Sequence, residues 1–106
     1  MLQRVEPSFQ LERAGANRRF TLSGEVDLAV AGGLVELLRR SCDGAEDLTL
    51  DLSGLSFLDS SGIHAFIEIK RLLRGRLILE SPTDPVARVF DLVGLAKVPG
   101  IEIRRI

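Results

Sequence analysis

The sequence predicts an α/β domain built on a mixed sheet, and three observations carry that expectation. Alternating apolar and polar stretches recur along the chain, as they do in half-buried strands. After the first two, such stretches are separated by segments with helical periodicity, which implies parallel pairing through right-handed crossovers. Only a short turn separates the first two, which implies one antiparallel hairpin. With 106 residues the chain has room for one domain and one core. A single domain over residues 1–106 is therefore expected, with four or five strands and helices packed on the sheet.

Phe9-Gln10-Leu11-Glu12-Arg13 alternates, Gly15-Ala16-Asn17 supplies a turn, and Arg19-Phe20-Thr21-Leu22-Ser23 resumes the alternation. Gly24-Glu25-Val26-Asp27 then leaves the sheet for a helix. Ala31, Leu34, Val35, Leu38 and Cys42 recur at i, i+3, i+4, i+7 and i+11 as its buried stripe, with Glu36, Arg39, Arg40 and Asp43 opposite. Gly32-Gly33 weakens the first turns by about 1 kcal/mol per glycine, so this helix is expected to begin late or fray. Leu48-Thr49-Leu50-Asp51-Leu52 is a third strand, and Asp51 reads as a turn or sheet-edge residue.

From Ser60 the period becomes helical. Gly62, Ala65, Phe66, Ile69, Leu72 and Leu73 make an apolar face that Ile63 and Ile67 widen. Ser60, His64, Glu68 and Arg71 share the opposite stripe, which faces solvent. Gly75 is expected to stop this helix, and Arg76–Glu80 is a fourth strand. Thr83 or Asp84 then caps a third helix with proline in its first turn, and Gly94 stands as its stop. Ile101-Glu102-Ile103 adds a short edge strand.

A composition of 45% hydrophobic and 27% charged residues is that of an ordinary soluble domain. The net charge of -1 offers no electrostatic grip on nucleic acid or an anionic membrane, so neither is an expected partner. Cys42 is the lone cysteine, which excludes an internal disulfide and a cysteine metal cage. Residues 1–7 lack the apolar core of a signal peptide, and no run approaches the ~18 apolar residues of a membrane span. The chain reads as reduced, soluble and cytoplasmic. Neither a cofactor nor a metal is expected.

The chemistry concentrates in Leu50-Asp51-Leu52-Ser53-Gly54-Leu55-Ser56-Phe57-Leu58-Asp59-Ser60-Ser61-Gly62-Ile63. Asp59 or Ser60 suits a helix cap, a role that contributes about 1 kcal/mol. Ser60 also suits a phosphoacceptor, because unpaired N–H groups at a helix start favour an anion. Four pieces in order, Gly24-Glu25-Val26-Asp27, Asp51-Leu52-Ser53-Gly54-Leu55, Phe57-Leu58-Asp59-Ser60-Ser61-Gly62-Ile63 and Val89-Phe90-Asp91-Leu92-Val93-Gly94-Leu95, resemble the bacterial STAS-domain anti-sigma factor antagonists. The likeness covers roughly residues 8 to 97.

That resemblance implies a STAS fold and a regulatory binding protein, not an enzyme. It implies that Ser60 is phosphorylated by a partner that is both anti-sigma factor and serine kinase, with Ser61 the alternative acceptor. The unphosphorylated form would hold that kinase and release the sigma factor, and a phosphatase would reset the switch. Asp27 matches a position implicated in kinase recognition; its competing role is the cap of the first helix. Asp59, Ser61, Gly62 and His64 complete the expected partner-binding set. Gly32-Gly33 replaces a proline common among relatives, and His64 stands where some carry a small residue.

Other functions fit less well. Ser60 and His64 are four apart on one helix, but no Gly-x-Ser-x-Gly elbow surrounds them and a solvent-facing site would not exclude water. The glycines form neither a dinucleotide fingerprint nor a phosphate loop. The competing role is another STAS one, as an accessory subunit of a lipid-transporting ATPase or a scaffold independent of phosphorylation.

Overall fold

The computed structural model describes residues 9–14, 18–42, 44 and 46–105. The turn expected at Gly15-Ala16-Asn17, the polar-side Asp43 and the first eight residues lie outside this set. The elements are β1 (Phe9–Arg13), β2 (Arg19–Val26), α1 (Leu28–Cys42), β3 (Leu48–Leu58), α2 (Ser60–Leu72), β4 (Leu77–Glu80), α3 (Asp84–Val93), a 3-10 turn over Leu95–Lys97, and β5 (Ile101–Arg104). One sheet runs in the order β1-β2-β3-β4-β5, with β1 antiparallel to β2 and the other pairs parallel. Each crossover steps in the same direction along the sheet. Right-handedness therefore puts all three helices on one face.

The inward face is aliphatic. Leu22 and Val26 from β2, Leu50, Leu52 and Leu55 from β3, and Leu77 and Leu79 from β4 are fully buried. They meet Leu34 and Leu38 of α1, Phe66 and Ile69 of α2, and Val86 and Phe90 of α3 in one cluster. The Phe66 and Phe90 rings meet edge to face, with centroids 6.1 Å apart. The opposite face holds an ion network instead. Buried Glu80 pairs with Arg19 at 2.5 Å and Arg104 at 3.7 Å, and Arg104 reaches Glu102, which Arg76 also meets at 2.7 Å. The hydrogen bond that Arg19 donates to the Glu80 carboxylate raises the pKa of Arg19.

Several expectations need correction. β2 does not leave the sheet at Gly24 but pairs with β3 as far as Val26 and Leu58. β3 has eleven residues because two bulges each place an extra residue on it, opposite Thr21–Ser23 and Gly24–Glu25. Each bulge shifts the inward phase, so Leu52, Leu55 and Leu58 all point inward although they are three apart. Asp51 is thus mid-strand, between β2 and β4, where its Oδ1 accepts the Ser53 N–H at 2.9 Å.

α1 starts at Leu28, unhindered by its glycines. Burying Leu34 and Leu38 stabilises by about 1.5–3 kcal/mol each, which outweighs a glycine cost of about 1 kcal/mol each. α2 ends at Leu72, not at Gly75, because Leu73 turns extended and buries its side chain. Gly94 does close α3, in the left-handed region at φ 68°. Thr83 stands at the N-cap of α3 without capping through its side chain. Its hydroxyl instead donates to the Leu55 carbonyl at 2.7 Å, which ties α3 to the bulged strand.

Candidate functional site

Two neighbouring parallel strands end side by side and each continues into a helix. The β2–β3 ladder closes at Val26 and Leu58, and the Asp59 N–H donates to the Val26 carbonyl at 3.3 Å. One residue further, each chain carries an aspartate. Asp27 caps α1: its Oδ1 accepts the Ala29 N–H at 3.0 Å and its carbonyl accepts the Ala31 N–H at 2.9 Å. Asp59 caps α2, its Oδ1 accepting from Ser61 N at 2.9 Å and Gly62 N at 3.3 Å. Both are half-buried, so the matching register presents two carboxylates at one end of the sheet.

Ser60, the first residue of α2, is exposed. The cap is therefore Asp59 and not Ser60, which leaves the Ser60 hydroxyl outside the capping bonds. Asp59 also changes the electrostatic expectation. Its carboxylate already accepts the N–H groups that an anion on Ser60 would otherwise take, so the start of α2 is occupied by its own cap.

Ser61 is half-buried and faces α1. Gly62 is buried, and a Cβ there would fall on Leu58 Cδ1 and come within 2.7 Å of its Cγ and 3.4 Å of Val26 Cγ1. Glycine at this position lets α2 settle on the strand ends, so Gly62 shapes the site through packing. His64 and Glu68 are exposed on the same stripe as Ser60, followed by exposed Arg71, which binds Glu68 at 2.9 Å. The predicted solvent stripe of α2 is present in full.

Between α1 and α2 lies a cleft of about 400 Å³, lined mainly by Leu28, Gly32 and Val35 on one side and Ser61, His64 and Glu68 on the other. Neither Gly32 nor Gly33 would meet any atom within 4 Å if it carried a Cβ, so packing does not demand glycine at either. Leu28 at 79% exposure and Phe57 at 46% add apolar surface at this end. Sequence reading missed the cleft and both side chains. Gly32 was the available signal, but the glycine pair read as a flaw in the helix and not as part of a groove lining.

Among the described residues no group of three His, Cys, Asp or Glu is placed to hold a metal. No helix among them is long and apolar enough to cross a membrane.

The STAS domain family model matches residues 8–105. The chain is 29% identical over 86 residues to the anti-sigma-B factor antagonist of Bacillus subtilis, covering 78% of this chain and 79% of that protein. It is 31% identical over 90 residues to the anti-sigma-B factor antagonist of Listeria monocytogenes, covering 80% and 76%. Among solved structures, the anti-sigma factor antagonist SpoIIAA in its unphosphorylated form superposes with a TM-score of 0.70 at 26% identity, over 90% of this chain and 86% of that one. An anti-sigma factor antagonist from Mycobacterium paratuberculosis shares the fold, with a TM-score of 0.72 at 23% identity over 89% and 83%.

Proposed function

This chain belongs to the STAS domain family, and from that premise we propose that it works as an anti-sigma factor antagonist. In its unmodified form it docks, through the end that carries Ser60, on an anti-sigma factor that is also a serine kinase, and the sigma factor is released. The kinase then moves the γ-phosphoryl group of ATP onto Ser60 Oγ; ADP leaves, the seryl proton is lost, and docking fails. A phosphatase returns the hydroxyl. The protein is a cytoplasmic binding partner and the kinase's substrate, with no nucleic acid or membrane among its targets.

One observation carries this reading: Ser60 is exposed on the first turn of a helix that other residues hold in place. Asp59 caps that helix, while Ile63, Phe66 and Ile69 bury its inner face. New charge on Ser60 therefore leaves the buried face of α2 untouched. It adds about -1.5 to -2 charges beside Asp59 and near the end that bears Asp27. An unmatched charge at an interface costs about 2–5 kcal/mol, enough to exchange partners without refolding. Asp27, Asp59, Ser61 and His64 frame the docking end, and the exposed Leu28 and Phe57 give it apolar area.

The test starts with a pull-down from native lysate, with and without ATP. Incubation with the captured kinase and ATP should raise the intact mass by one phosphate, and Ser60→Ala should abolish the gain. Equal labelling of both proteins would overturn the assignment. Capture of a membrane ATPase in place of a soluble kinase would point to the accessory-subunit role.

A further inference from the structure

α2 sets Ser60 and His64 four residues apart on one exposed stripe. At that spacing the Cβ atoms are about 5–6 Å apart, within reach of a phosphoserine and an imidazole. An anion N-terminal to a cation at i, i+4 is also the favourable orientation. A phosphoryl group on Ser60 would find few other donors. Asp59 Oδ1 holds the N–H groups of Ser61 and Gly62, and the Asp59 carbonyl holds that of Ile63 at 3.2 Å. Arg71 is bound to Glu68, and eleven residues of helix put it about 16 Å along the axis from Ser60. α1 contributes Leu28, Ala31, Gly32 and Val35 to the cleft, none of them charged.

We infer that His64 is the intramolecular counter-ion of phosphorylated Ser60, which makes the charge of the modified docking end depend on pH. This rests on Ser60 being the phosphoacceptor. Glu68 borders the same cleft, while Asp59 and Asp27 stand at the adjoining helix starts. Arg71 borders the far side of His64 and is paired with Glu68. When His64 is protonated, its imidazolium offsets part of the phosphate charge. As pH rises and His64 loses its proton, the full dianion stands exposed and docking is blocked most strongly.

His64 is the chain's single histidine, so its ring protons give an unambiguous NMR titration. The experiment compares the unmodified protein with one carrying phosphoserine installed at position 60 during synthesis. The His64 midpoint should rise by about half to one pH unit on phosphorylation. In the ³¹P titration, His64→Gln should move the phosphate midpoint upward, since the nearby cation that favours the dianion is gone. Coincident His64 midpoints, or a phosphate midpoint unmoved by His64→Gln, would overturn the inference. Because the phosphate is placed without a kinase, this outcome is separate from whether any kinase modifies Ser60.

Discussion

Glycine-to-alanine replacement at two helical positions should shift stability in opposite directions. Gly32 is exposed within α1, and a Cβ there meets nothing within 4 Å. Gly32→Ala therefore receives only the helix-propensity gain, about 0.8–1 kcal/mol. Gly62 lies within α2 and offers the same gain, but its Cβ would collide with Leu58, which is 3% exposed and backed by fully buried Val26. Forcing a methyl group into such a site costs about 1–3 kcal/mol. The net for Gly62→Ala runs from about zero to 2 kcal/mol of destabilisation. A separation of about 1–3 kcal/mol between the variants follows, or at least about 4 °C in Tm for a domain of this size. Urea denaturation and differential scanning calorimetry measure both. A Gly62→Ala protein as stable as Gly32→Ala would refute the close approach of α2 to the strand ends. If the cleft receives a partner, Gly32→Ala should also bind the captured anti-sigma factor more weakly while being more stable.

Asp59→Ala should cost about 1 kcal/mol by removing the α2 cap, read as a lower urea midpoint with unchanged slope. Asp27→Ala should lose a similar amount, whereas Asp27→Asn keeps the cap; slower phosphorylation in the Asn variant would isolate the part played by charge, and an unchanged rate would show that Asp27 only caps. Ser60→Asp should melt close to the parent protein, and extensive unfolding of that variant would contradict the exposed setting of Ser60. Burial raises the pKa of the Cys42 thiol, with Arg18 and Arg13 pulling weakly the other way. The folded protein then keeps this proton at pH values where the unfolded chain, with a thiol pKa near about 8.5, releases it. This contribution to stability is whole below that range and is lost as pH rises through it; stability of Cys42→Ala should fall less between pH 8 and pH 10.

Much of this molecule was decided locally. Helical and strand periodicity located the three helices and five strands of the described residues, the Gly94 stop and the solvent stripe of Ser60, His64, Glu68 and Arg71, because each depends on residues a few positions apart. Element order then implied the mixed sheet, since strands joined through helices pair in parallel. Tertiary pairing decided the rest. The two bulges in β3 exist only against β2, and they carry Leu58 to the position from which Asp59 stands beside the end of β2. That register brings together two caps separated by 31 intervening residues, and it leaves a cleft between the helices they start. Periodicity cannot reveal such a meeting, because it records which face a residue takes and not which distant residue waits there.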